Sequence, residues 1–253
     1  MENAQPTFLD LLLEAHIDLK RQGPGSPETM KQALSFLGPL DRLEQVADLG
    51  CGTGGQTLDL AGHLTGHITG LDMFPAFANR LTEEAQRRGL GDRVSGVVGQ
   101  MENLPFEQHS FDLIWSEGAI DNIGFENGLR HWHAFLKPGG YLAVTCPSWL
   151  TAEHPAVVEQ FWAEAGSGLD TVDRNIGILQ QAGYRFIAAF ALPENCWTDN
   201  YFTPRAAAIE KLMKKYPESE TMQAYAAVNR QEVELFRQYG RHYGYVFYIG
   251  QAE

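Results

Sequence analysis

VADLGCGTGGQTLDLA, residues 46–61, decides how this chain is read. An apolar run carrying a carboxylate ends in four glycines within six positions, and TLDLA then resumes at helical spacing. The pattern predicts a strand, a tight loop and the first turns of a helix, the unit that presents a ligand at the C-terminal end of a strand. Two spacings are written over the same glycines. Gly50-x-Gly52-x-x-Gly55 suits a loop that lays a dinucleotide pyrophosphate on a helix N-terminus. Asp48-x-Gly50-x-Gly52-x-Gly54 instead sets a carboxylate ahead of the loop. That charge repels a diphosphate and accepts hydrogen bonds from an ammonium, directly or through water. Simple capping of the following helix is the other reading of Asp48.

Outward from this unit, HITGLD (67–72), RVSGVVG (93–99), FDLIWSE (111–117) and GYLAVTC (140–146) read as strands. Helical spacing fills 54–64, 75–88, 124–136 and 155–182 between and after them. Strand alternating with helix calls for a doubly wound, mostly parallel sheet. YRFIAAFAL (184–192) and YGYVFYIGQ (243–251) close it as a late pair, making a seven-stranded α/β sheet. Before the first strand, Phe8, Leu11, Leu12, Ala15 and Leu19 form an amphipathic stripe that ends ahead of QGPGS (22–26). Ser26-Pro27-Glu28 reads as N-cap, first-turn proline and first-turn acid of a second helix to about Leu37. One domain over 1–253 is expected, with a helical cap over 1–40 and a helical insertion or lid over 193–240, a stretch too long for a passive loop.

The composition narrows the partners. Lys and Arg number 19 against 32 Asp and Glu, a net charge of −13, which opposes docking on nucleic acid. Cys51, Cys146 and Cys196 lie too far apart in sequence to suggest a disulfide framework or a zinc site, so a reducing cytoplasm is the expected compartment. Glu14, His16 and Asp18 interrupt the N-terminal apolar run, which therefore reads as neither signal peptide nor membrane span. Oligomeric state stays open.

From 43 to 148 the chain resembles the class I (Rossmann-like) S-adenosylmethionine (SAM)-dependent methyltransferases, in the small-molecule branch similar to quinone and sterol C-methyltransferases. VADLGCGTG, ITGLD (68–72), NLPFEQHSFDLIWSEGAI (103–120) and LKPGGYLAVTC (136–146) carry the resemblance, in the order and spacing of that family. It implies SAM as cofactor and S-adenosylhomocysteine (SAH) as product. Asp48 would then face the methionine ammonium, and Gly50, Cys51, Gly52 and Gly54 would form the loop beneath it. Asp72 would hold the ribose hydroxyls; Met73 and Phe74 either flank the adenine or pack under the next helix. Gly99-Gln100-Met101 stands where the branch commonly has Gly-Asp-Ala, so the Gln100 amide oxygen and the Met101 backbone N–H take over the adenine edge.

The resemblance also implies in-line transfer of a methyl group to an O, N or C nucleophile on a small molecule. Glu117 and Asp121, past the fourth strand, are the candidate general bases; a cofactor-edge or structural contact and a helix cap are their other readings. Trp149, Trp197, Tyr201 and Tyr243, with Phe202, are expected to border the substrate pocket, and His16, His154 and His242 are histidines close to that end. Arg21 and QGPGS are expected to close over the methionine end. No metal is expected, since Asp121-Asn122 has no matching oxygen ligand after strand five. An NAD-dependent oxidoreductase and a SAM-binding protein without turnover are the rival readings.

Overall fold

The computed structural model describes residues 5–253, so residues 1–4 of the expected cap lie outside the described residues. Its strands are β1 (Gln45–Leu49), β2 (His67–Asp72), β3 (Val94–Val98), β4 (Phe111–Ser116), β5 (Leu136–Trp149), β6 (Asp170–Thr171), β7 (Tyr184–Ala191) and β8 (Tyr243–Ala252). Seven of them form one sheet in the order β3-β2-β1-β4-β5-β8-β7, and the two-residue β6 pairs with the end of β5. All neighbours are parallel except β8, which runs antiparallel to both β5 and β7. The mostly parallel, seven-stranded α/β sheet read from the sequence is therefore present. The inserted antiparallel β8 separates it from the dinucleotide fold, whose order continues 4-5-6 outward.

The apolar runs have a simple cause. β1 is buried from Val46 to Leu49 and β4 almost throughout, because helices cover both faces of the sheet. Alternate residues feed two cores. Val46, Leu113, Trp115, Ala143 and Phe247 share one, and Ala47, Leu49, Ile114, Leu142 and Val246 the other.

The helices are α1 (Phe8–His16), α2 (Pro27–Leu34), α3 (Gly55–Leu60), α4 (Pro75–Arg87), α5 (Phe125–His133), α6 (Ala156–Glu164), α7 (Val172–Gln181), α8 (Glu194–Trp197), α9 (Thr203–Lys215) and α10 (Glu220–Tyr239). Several stop short of the expected bounds. α1 ends at His16 and not at Leu19, because the chain must leave the helix there to cross the glycine loop. Phe8, expected on the buried stripe, is 44% exposed and meets the ring of Tyr225 edge-on. The expected helical region 155–182 is split, since the chain between α6 and α7 passes along β5 as β6.

The segment between β7 and β8 is helical, as expected of 193–240. It comprises α8, a wide π-type turn at Thr198–Phe202, α9 and α10. α9 and α10 bury Ile209, Leu212, Met222 and Tyr225 against Leu11 and Ala15 of α1, a satellite core away from the sheet. The N-terminal segment is thereby anchored at both its start and its crossing.

Candidate active site

A cavity of about 440 Å³ opens at the C-terminal ends of β1, β2 and β4. Its floor is the glycine loop. Gly50 has φ +74°, and a Cβ there would overlap the Cβ of Ala119, so the turn out of β1 is possible only without a side chain. Gly52 then turns its N–H to Asp72 Oδ2 at 2.9 Å, while Asp72 Oδ1 accepts from the Phe74 N–H at 2.9 Å. Asp72 thus stands on the wall with its orientation set by two backbone donors and lone pairs still available. Burial raises its carboxyl above the ordinary value, against those two hydrogen bonds.

A strap of residues 21–24 covers the loop. Gln22 Oε1 accepts from the Thr53 N–H at 3.1 Å, and its Nε2 donates to Thr53 Oγ1 at 2.7 Å. Arg21 Nη1 meets Glu117 Oε2 at 2.8 Å, with both side chains about 95% buried. Glu117 Oε1 accepts from Trp115 Nε1 at 2.9 Å. Each oxygen of Glu117 is therefore already engaged, and the residue on the cavity wall is half of an ion pair.

The remaining expected residues divide. Gly50, Gly52, Met73, Gln100 and Met101 line the cavity with Asp72, Phe74 and Glu117. Met101 is held by its carbonyl, which accepts from Trp132 Nε1 at 3.0 Å. Cys51 and Gly54 do not line it: Cys51 is buried under the loop, where burial pushes its thiol up, and Gly54 is the N-cap of α3. Asp48 also stands beneath the loop. Its β-strand alternation turns it to the face under α3, where Oδ2 accepts from Thr57 Oγ1 at 2.6 Å and Oδ1 has no partner among the described residues. Burial lifts its carboxyl to about 7, against the Thr57 hydrogen bond and with the charge of Glu117 adding.

A pH dependence follows from Asp48. The folded carboxyl keeps its proton to about pH 7, whereas the unfolded one releases it near 3.8, so the folded state binds more protons between these values. Asp48 then contributes stability at low pH that is lost as pH rises through that window. Expected is that Asp48→Asn costs less stability at about pH 8 than at about pH 5, read from urea midpoints. An equal cost at both values would show that Asp48 ionises normally.

Asp121 is off the cavity wall, although its neighbours Asn122 and Ile123 are on it. It lies in the short turn Ile120–Ile123 with Oδ1 buried and without a partner among the described residues, and burial raises its carboxyl to about 6. The aromatic group sits elsewhere. Trp149 stacks on His154 at 4.4 Å, Tyr201 accepts from Arg205 Nη1 at 2.8 Å, and Trp197 and Tyr243 line a second, separate cavity. Their apolar faces are satisfied by one another around β8 and α10, which draws them away from the glycine loop. His16 is buried against Leu12 and does not line the cavity; burial holds its ring down at about 4. His242 Nδ1 is paired with Thr151.

Gln56 and Ala119 line the cavity without having been singled out from the sequence; Gln22 lines it as the first residue of QGPGS, expected there only as part of the closing loop. A lone glutamine in a turn-rich segment carries no signal of its own; only the crossing of the strap over Thr53 gives Gln22 its place. Among the described residues no group of three His, Cys, Asp or Glu side chains is placed to hold a metal.

Comparison with known proteins gives the same picture. Residues 46–140 match the profile of a methyltransferase domain. A methyltransferase from Geobacter sulfurreducens, solved with SAH, superposes with a TM-score of 0.81 at 20% identity over 96% of this chain and 98% of that one. The matched stretch is thus similar to methyltransferase domains, and the whole chain shares the fold of the Geobacter enzyme. A sterol 24-C-methyltransferase from Gibberella zeae is 31% identical over 101 residues, 40% of this chain and 27% of that protein. The chloroplastic tocopherol O-methyltransferase of Arabidopsis thaliana is 28% identical over 183 residues, 68% of this chain and 47% of that protein. The chain thus spans less than half the length of these two curated relatives. The chain holds its cavity where the parallel half of the sheet ends, under the strap. The dinucleotide reading of the glycine loop finds no support in these relatives or in the strand order.

Proposed function

We propose that the chain binds SAM in the 440 Å³ cavity and transfers its methyl group to a small-molecule O, N or C nucleophile. The observation that carries this reading is Asp72, a carboxylate with free lone pairs beside a glycine loop under a closed strap. The cavity fits such a ligand: its volume lies within the range of about 300–1,000 Å³ usual for small-molecule sites. Bound SAM supplies a methyl group already activated by the positive sulfonium. The chain's own part is to orient, to exclude water and to shape the approach. In this reading Asp72 accepts from the ribose hydroxyls, and Met73, Phe74, Gln100 and Met101 border the adenine. Asp48, beneath the loop, acts on the ligand's ammonium only through the loop or a bridging water. Glu117 holds Arg21, and Arg21 holds the strap down. Asp121, off the cavity wall but beside Asn122 and Ile123 on it, would serve as the base by a shift of the turn Ile120–Ile123 that carries it.

The helical segment 193–240 would act as a lid on a single domain; its apolar contacts with α1, and Asn200 Nδ2 donating to the Gly25 carbonyl at 2.8 Å next to the strap, support that role. Among the described residues no helix is long and apolar enough to cross a membrane. We place the protein in the cytoplasm on its three free cysteines.

Calorimetric titration with SAM, SAH and NADH tests the cofactor; binding of NADH with none of SAM sinks the proposal. Transfer from labelled SAM to fractions of a metabolite pool tests turnover. Asp72→Asn should weaken SAH by about 1–3 kcal/mol, since one oxygen becomes a donor facing hydroxyls and backbone N–H groups. Unchanged affinity would remove Asp72 from the ribose role. Asp121→Asn should lower kcat about a hundredfold with SAH affinity intact, within the range of one general base; normal turnover would clear it of that role.

A further inference from the structure

A second cavity, of about 320 Å³, lies on the same edge of the sheet at its antiparallel half. Leu150 after β5, Leu192 after β7, Gly244 at the start of β8, Trp197 of α8 and Phe236 of α10 enclose it. The Trp197 and Phe236 rings stack on each other at 4.5 Å with 20° between their planes, and both line the cavity. Trp197 is 1% exposed, and its indole N–H has no partner among the described residues. A buried donor left in that state is uncommon and asks for an acceptor.

Gly244 adjoins that donor. A Cβ on Gly244 would stand in ordinary contact, 3.9 Å from Trp197 Nε1 and 3.5 Å from Leu150 Cδ1, so the N–H lies beside the cavity wall that Gly244 forms and a longer side chain there would cover it. Tyr243, on the same wall, also carries a buried hydroxyl without a partner among the described residues. The rim adds charge. Arg237 is held by Glu234 at 2.7 Å, and Glu194 contributes one negative group. Arg241 Nε donates to His242 Nε2 at 2.8 Å, which leaves its two Nη groups without a protein partner among the described residues.

We propose that this cavity is a binding site for a small apolar carboxylate, its body against Trp197 and Phe236 and its oxygens taking up the Trp197 N–H and the Arg241 guanidinium. The site is distinct from the cavity under the strap. Trp197 packs against Tyr245 at 5.3 Å, and the Tyr245 hydroxyl comes within 3.9 Å of the Cβ position of Gly118 on the other cavity's wall, so these two rings stand between the two spaces. The inference does not rest on the methyl-transfer reading.

The test is calorimetric titration of the whole chain with phenylacetate, with and without saturating SAH, followed by phenylacetamide as the neutral analogue. Expected are one phenylacetate per chain, an affinity unchanged by SAH, and binding of phenylacetamide weaker by about tenfold, the weight of a charge-assisted hydrogen bond. Gly244→Leu, which fills the cavity, should abolish phenylacetate binding, and Arg241→Gln on the exposed rim should weaken it about tenfold, both with SAH affinity retained. Absence of binding at millimolar phenylacetate overturns the proposal. So does competition with SAH, equal binding of phenylacetamide, or full binding by Arg241→Gln. The rim variant and the neutral analogue decide the matter if Gly244→Leu does not fold. SAH titration reports on the first cavity alone, so failure of either site is read separately.

Discussion

Arg21→Met is expected to lower the melting temperature by about 10 °C. Removing one partner of a buried ion pair costs about 3–5 kcal/mol, because the other charge stays out of water without compensation. In a chain of 253 residues each kcal/mol moves the midpoint by about 2–4 °C. Arg21 and Glu117 qualify as such a pair. Their side chains are 5% and 4% exposed and their atoms lie 2.8 Å apart, and after the substitution Glu117 keeps only the Trp115 N–H. Arg21 also approaches Asp59 at 3.5 Å, so a second carboxylate is left with Lys20 alone, at 3.7 Å. The double variant Arg21→Met/Glu117→Gln should recover much of the loss, since the stranded charge is gone. SAH affinity should fall in both, because the strap is released in both. Calorimetric melting of the two single variants and the double one checks the cycle; a shift below about 2 °C for Arg21→Met would mean that the pair is solvated and screened.

Gly50→Ala is expected to destabilise by about 2–5 kcal/mol and to abolish SAH binding. Two costs add. A side chain at φ +74° pays about 1–2 kcal/mol for the left-handed backbone. Overlap with the Ala119 Cβ adds about 1–3 kcal/mol of overpacking, or pushes the 118–121 turn into the cavity that it lines. Gly89→Ala is the control. Gly89 has φ +70° with nothing within 4 Å of its Cβ position, so that variant pays the backbone cost alone. If the two variants melt together, close approach to Ala119 has no weight and Gly50 serves only the turn.

Much of this site was legible in one dimension. Four glycines after a buried strand and a carboxylate 24 positions on from Asp48 place Asp72 and the loop together, since parallel strands present their C-terminal ends on one edge. The strand order required more. Nothing in YGYVFYIGQ says that it enters between β5 and β7 in the opposite direction; the pairing of Tyr141–Trp149 with Tyr243–Gln251 decides that. The aromatic residues show the limit most plainly. Trp149, Trp197, Tyr201 and Tyr243 sit in segments that reach the ligand edge, yet composition cannot tell an aromatic ring that lines a cavity from one that fills a neighbour's surface.

What the sequence determined by itself is local: where strand turns to loop, which positions require glycine, and which carboxylates stand at strand ends, because backbone sterics and periodicity act over a few residues. Which side of the loop Asp48 occupies, that Glu117 is spent on Arg21, and that Gln22 ties the strap to Thr53 were decided only in the folded chain. Those pairings join residues 9, 96 and 31 positions apart. Burial and charge at such separations are set by packing.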